Sequence, residues 1–241
     1  MFRTVLARML RGTMRSAAYP VAPGISERLA FQILAGSVPK ALRGLWLKSR
    51  LGSCDGLPLV GRGVRVTHPQ MVRVGRGFAI EDFAEVQGLS QRGVRIGNNV
   101  TIGRGAQIRM SSYYGRDLGV GLEVGDESNV SLQAFLGASG GITIGRRVLM
   151  GPGVMLLSEE HIADRLDLDI KYQGVRAVPI HIEDGVWIGA GVLVLGGVRI
   201  GRGAIVGAGA VVREDIPAFT VAAGVPARVV RKRTSLEIQT L

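Results

Sequence analysis

IEDGVW IGAGVL VLGGVR IGRGAI VGAGAV VREDIP, residues 182–217, repeats with a period of six. Each unit opens on an aliphatic residue: Ile182, Ile188, Val194, Ile200, Val206, Val212. Its fifth residue is small or β-branched, as in Val186, Val192 and Ala204. The fifth residue and the next first residue stand two apart, so in a short strand both point the same way. The glycine-rich positions between them suit a tight turn. One such unit buries nothing, but stacked units form aliphatic ladders and pair their backbones with the turns above and below. The same unit reads as VGRGFA IEDFAE from 74, IGNNVT IGRGAQ from 96, VGDESN VSLQAF from 124 and IGRRVL MGPGVM from 144. A six-residue repeat over most of the chain predicts an all-β parallel solenoid.

Composition agrees. The 241 residues are 46% hydrophobic but only 5% aromatic, with 36 glycines. Small aliphatics and glycines fit short stacked strands better than a bulky core. One cysteine, Cys54, excludes an internal disulfide and a cysteine zinc cluster, and a cytoplasmic address is the simplest expectation.

The net charge of +11 is uneven: residues 1–50 hold nine Lys/Arg and one Glu, the remainder 21 basic and 18 acidic residues. MFRTVLARMLRGTMR, 1–15, reads as an amphipathic helix with Phe2, Val5, Leu6 and Met9 on one side. Arg8, Arg11 and Arg15 interrupt any run long enough for a signal peptide or a membrane span. The helix either packs on the domain or a neighbouring subunit, or makes peripheral contact with anionic lipid. No recognition motif accompanies the charge, so nucleic acid is not expected. Pro20 and Pro23 end this piece, a second helix is expected over 26–35 behind Ser26, and a third from Pro39.

These repeats resemble the hexapeptide-repeat acyltransferases. The resemblance covers residues 60–233 and implies a left-handed parallel β-helix, three units to a triangular coil of 18 residues. The handedness rests on the resemblance alone. The expected organisation is a basic helical segment, 1–57, a β-helix domain, 58–222, with extended loops 109–122 and 157–180, and a basic tail, 223–241. Coil starts at Val74, Ile96, Val124, Ile144, Ile182 and Ile200 are spaced 22, 28, 20, 38 and 18. The largest excess falls on SEEHIADRLDLDIKYQG, 158–174, the next on SSYYGRDLGV, 111–120. Long insertions in compact domains are usually functional or disordered.

His161 lies in the larger insertion, ahead of Trp187-Ile188-Gly189-Ala190. In sugar O-acetyltransferases of the galactoside and maltose type, the catalytic His occupies such a loop before a WIG unit. The resemblance thus makes His161 a general base that takes a proton from a hydroxyl as it attacks a thioester. No enzyme nucleophile is needed. Glu159, Glu160 or Asp164 could orient the imidazole, or be solvated charges. His68 and His181 read as structural.

The resemblance further implies acetyl-CoA as co-substrate and no metal. It gives the Gly151 amide to the thioester region and sets Ala190 and Ala208 against the pantetheine arm. Trp187 shapes the channel, and Arg213, Arg228, Arg231 and Lys232, with Arg233 beside them, meet the nucleotide end. Each has a plainer reading: a tight corner needs a small residue, Trp187 packs a subunit contact, and a basic tail aids solubility. Ser131 stands where the galactoside branch carries an acceptor-handling Asn, so the acceptor is expected to differ from that branch's sugars. Tyr113, Tyr114, Arg116 and Asp117 are candidate acceptor contacts, or an ordinary surface loop.

The function expected is acetyl-CoA-dependent O-acetylation of a carbohydrate hydroxyl, such as a cell-surface polysaccharide or glycolipid precursor, by a homotrimer with sites between prisms. The alternatives are an amino-sugar N-acyltransferase, a zinc enzyme of the carbonic anhydrase type, whose His spacing is missing, and a non-catalytic scaffold or binding protein.

Overall fold

A computed structural model describes residues 27–110 and 118–234. The amphipathic helix expected over 1–15 and the pieces around Pro20 and Pro23 lie outside these residues, as do Tyr113, Tyr114, Arg116 and Asp117.

The chain winds as a left-handed parallel β-helix with three faces. The first face is a seven-stranded parallel sheet in the order 53–54, 72–74, 94–96, 122–124, 142–144, 180–182, 199–200. The six coil starts read from the sequence stack in it, Val74 on Ile96 on Val124 on Ile144 on Ile182 on Ile200. The second face runs from 59–60 through 129–130, then from 149–150 to the last strands. The third face is again seven strands, from 65–67 to 211–212. The periodicity works as its physics requires. Residues two apart, such as Val186 and Ile188, both point inward and are buried, with Val192, Val194 and Val198 continuing the wall. Burying each such side chain stabilises the spool by roughly 1.5–3 kcal/mol.

The corners are tight enough to demand glycine. A Cβ on Gly189 would meet the Ala208 nitrogen at 2.5 Å, and one on Gly151 the Ala190 nitrogen at 2.5 Å.

Outward, the third face changes character along the axis. One ladder runs Arg65, Glu85, Gln107, then Phe135, Met155, Leu193, Val211. A neighbouring ladder runs Gly137, Leu157, Leu195. The first three coils are polar on this side and the last four apolar.

Both ends of the spool are covered. Helix α1, Glu27–Lys48, caps the start. It packs on the strand Leu59–Val60, buries Leu47, and bonds Arg43 Nε to the Val60 carbonyl at 2.8 Å. Gly44 has no side chain because the Pro58 carbonyl occupies that space. The expected pair of helices, over 26–35 and from Pro39, is one helix with Pro39 inside it. Pro39 is exposed, so its missing hydrogen bond falls on the solvent side, where helices bend most readily. Ladder pairing begins at Ser53–Cys54, ahead of residue 58, and the segment read as a basic tail supplies the strand Arg228–Lys232. That strand runs antiparallel to Thr220–Ala223 and ends the second face.

Candidate active site

The two longest interruptions leave the same edge of the prism, the corner joining the third face to the first. Met110 and residues 118–121, the described ends of the first, and residues 158–179 lie at that corner in alternate coils, with the short turn 138–141 between them. At the ~4.8 Å spacing of paired strands, their roots lie about 10 Å apart.

The larger insertion is a built structure. Ser158 is fully buried at its root; its hydroxyl donates to the Gly137 carbonyl at 2.7 Å and accepts from the Gly140 amide at 2.9 Å. Its own carbonyl accepts from Val178 N at 2.8 Å, pinning the returning strand. Glu159–His161 then pairs antiparallel with Val175–Ala177, with His161 opposite Val175. Beyond the pair, Gln173 ties the tip: its Nε2 donates to the Arg165 and Leu168 carbonyls, both at 2.7 Å, and its Oε1 accepts from Arg165 N at 3.0 Å.

His161 therefore stands at the end of a two-stranded arm, exposed to solvent. Strand alternation puts Glu159 on its side and Glu160 on the other. Asp164 is paired with Arg176 at 3.3 Å. Of the three acids considered for holding the imidazole, only Glu159 shares its side of the strand. An accessible imidazole on a braced arm is placed to accept a proton from a bound hydroxyl.

The other histidines are elsewhere. His68 adopts a left-handed backbone before Pro69, on the same edge but four coils earlier, about 19 Å along the axis from the root of the arm. His181 is exposed in the middle of the first face, between Thr143 and Arg199. Nothing in this placement gathers the three around one ion.

The next corner, between the second and third faces, stacks Gly151 with Ala190 and Ala208. Its surface is backbone and methyl groups, so an extended chain can lie close against it. The amide expected of Gly151 is already used: it donates to the Ile188 carbonyl at 2.7 Å. The corner glycine is a rung of the coil-to-coil ladder, so the oxyanion role does not fall to that N–H. Trp187 is 40% exposed on the second face, between Leu149 and Ile205.

The basic residues collect where the spool ends. Glu214 takes Arg228 at 3.1 Å and Arg213 at 3.8 Å. Arg231 and Lys232 follow on the last strand, both exposed, and Arg233 bonds the Gly203 carbonyl.

Ser131 lies half-buried at the second-to-third-face corner, one coil before Gly151. Beside it is a residue that sequence reasoning passed over. Asn129 puts its side-chain amide where two strands would pair: Nδ2 donates to the Met150 carbonyl and Oδ1 accepts from Met150 N, both at 3.0 Å. The second face is split there into two sheets. A polar amide at a strand position was the available signal.

Within one chain the pieces occupy two edges. His161 and Arg213 belong to one corner; Gly151, Ala190 and Ala208 to the next, with the apolar half of the third face between them.

Residues 179–214 match the model described as bacterial transferase hexapeptide (six repeats). A Schizosaccharomyces pombe protein named only as an acetyltransferase is 50% identical over 92 residues, 38% of this chain and 43% of that protein. A galactoside O-acetyltransferase of Lactococcus lactis is 39% identical over 100 residues, 41% of this chain and 47% of that enzyme. The chain thus spans less than half the length of these curated relatives. Among solved structures, AntD, an N-acyltransferase from Bacillus cereus crystallised with dTDP-4-amino-4,6-dideoxyglucose and coenzyme A, shares the fold. Its TM-score is 0.52 at 20% identity, over 80% of this chain and 89% of AntD. Repeat and coil register agree on a β-helix built of hexapeptide units, and within it residues 179–214 are similar to the bacterial transferase hexapeptide model.

Proposed function

We propose that the protein is an acetyl-CoA-dependent O-acetyltransferase acting on a carbohydrate hydroxyl, with His161 as general base. The observation that carries this reading is the arm itself: a buried serine, a strand pair and a glutamine clamp together hold one exposed imidazole off the prism edge. His161 takes the acceptor's hydroxyl proton as its oxygen bonds to the thioester carbon, and returns it to the sulfur as the C–S bond breaks. The products are an O-acetyl ester and free thiol, and no covalent enzyme intermediate is required.

The chain's residues fit coenzyme A. The bare corner at Gly151, Ala190 and Ala208 suits a pantetheine arm, and Arg213, Arg228, Arg231 and Lys232 suit phosphates. Coenzyme A supplies the activated acyl group. The oxyanion donor is sought at this corner among amides other than that of Gly151. Because the imidazole and the bare corner belong to different edges, a complete site takes one from each of two chains. The apolar ladder Phe135, Met155, Leu193 and Val211 supplies a surface for that packing, and three-fold closure suits a triangular prism. A lipid-linked sugar precursor at the membrane face is the acceptor class that the basic start of the chain favours.

The test is a panel of sugars, amino sugars and lipid-linked glycans incubated with acetyl-CoA, followed by thiol release and product mass. O-acetylation that falls about 10²–10⁴-fold in His161→Ala, with coenzyme binding kept, is the expected result. Transfer to amines alone would assign N-acylation, and no thiol release with any acceptor would leave a scaffold. Near-normal turnover in His161→Ala would remove the imidazole from the chemistry.

A further inference from the structure

The outer side of α1 is apolar in one continuous stripe. Val38, Leu42, Leu45 and Trp46 follow i, i+4, i+7, i+8 spacing and are 57%, 62%, 56% and 63% exposed. On a helix these positions share one face. The opposite side is occupied: Leu47 is buried, Gly44 lies on Pro58 and Arg43 is bonded to Val60. The stripe is therefore surplus to holding the helix on the spool. An apolar row of this kind usually marks a contact.

Charge selects what it contacts. Residues 36–51 contain Lys40, Arg43, Lys48 and Arg50 and no acidic residue. Arg43 and Lys48 are bonded to carbonyls of the prism, Lys48 to Gly56 at 2.7 Å. Lys40 is exposed, and the Arg50 guanidinium carbon sits 4.5 Å from the centre of the Trp46 ring. Residues 1–26 carry Arg3, Arg8, Arg11 and Arg15 and no acid, so folding that segment over the stripe sets like charges together. A second copy meeting the stripe with its own would set Lys40 and Arg50 against the same cations. An anionic surface complements the stripe, its rim and the preceding segment at once.

We propose that Val38, Leu42, Leu45 and Trp46, rimmed by Lys40 and Arg50, form a docking surface for a bilayer carrying anionic headgroups. The helix lies in the interface with Trp46 at headgroup level, the position that amphipathic aromatic rings favour. Among the described residues no helix is long and apolar enough to cross a membrane, so the contact is with one leaflet. The prism then stands on the bilayer at its capped start. The proposal adds a specific lipid contact to the membrane-face reading of the acceptor and does not require acyl transfer.

Flotation of the full chain with phosphatidylcholine vesicles, with and without phosphatidylserine, tests it. The wild type should float with phosphatidylserine vesicles and lose part of that binding as salt rises. Leu42→Ser/Leu45→Ser/Trp46→Ser should weaken binding about tenfold or more with an unchanged melting curve, since these side chains are already exposed. Lys40→Gln/Arg50→Gln should weaken binding only where phosphatidylserine is present. Three results would overturn the proposal. One is a wild type indifferent to phosphatidylserine. Another is serine-variant binding equal to wild type, which would place the contact in residues 1–26. The third is a change of oligomeric mass in the serine variant, which would make the stripe a contact between copies. Acetylation of a water-soluble acceptor, measured alongside, reports on the catalytic reading separately.

Discussion

Ser158 satisfies two backbone groups with one hydroxyl at the point where the arm leaves the spool. Removing that oxygen strands the buried Gly140 amide, while the Gly137 carbonyl keeps the Ser158 N–H at 3.0 Å. Ser158→Ala is expected to lower stability by about 1–3 kcal/mol. Urea melts would show it, and an unchanged midpoint would mean that water replaces the hydroxyl. The acids at the corners act by charge. Glu183 accepts from the Arg202 amide at 2.7 Å and from Arg199 Nε at 2.8 Å, which hold its carboxyl below the usual range. Asp82 is lowered first by the Arg62 amide, which donates to it at 2.8 Å. Because each carboxyl binds its proton less tightly folded than unfolded, its stabilisation is complete above the unfolded pKa and is lost as the pH falls through the depressed folded value. Glu183→Gln should therefore flatten the acid limb of a stability–pH curve and leave its slope near neutrality unchanged. Neither role was legible in the sequence. His161 drew notice because it lies where the repeat breaks, and the family resemblance supplied its expected role, but a serine's burial and an asparagine's wedge at 129 depend on which coil stacks above.

The arm is the element that the repeat arithmetic located best. An excess of 20 residues over a coil of 18 gave its size and place; the strand pair inside it carried no alternation to read. Gln173 makes three of the bonds that hold its tip, beside the Arg165–Asp167 pair. Gln173→Ala should leave the melting temperature of the spool almost unchanged while amides of 162–174 exchange faster. Acetylation should fall chiefly through kcat, since the imidazole is then less often in place. Equal exchange in the two proteins would show that the tip is held by something else. The helix before the spool was misread because Pro39 looked like a start signal. This helix turns its apolar stripe to solvent, so its pattern did not mark Pro39 as lying on the open side, where proline is tolerated.

At the scale of the whole molecule, the third face joins a polar half to an apolar half. Replacing Met155 and Leu193 by Lys puts charge in the ladder that the proposed assembly buries. Light scattering should then report single chains where the wild type reports three, with the far-ultraviolet spectrum unchanged. An unaltered mass would exclude this side from the contact. Period, coil starts and inward columns were legible because each coil obeys the same steric rule. The outward pattern was not, since it emerges only when seven coils are laid in register.

The closing strand Arg228–Lys232 runs against the direction of every rung before it on its face. A parallel solenoid left bare at its last rung offers open amides and carbonyls to the next molecule, and could grow end to end without limit. Reversing the final strand gives that edge the wrong polarity for continuation, and its run of Arg and Lys repels an incoming twin. Trimming the chain after Ala223 would turn a discrete particle into a seed for fibres, visible as time-dependent turbidity.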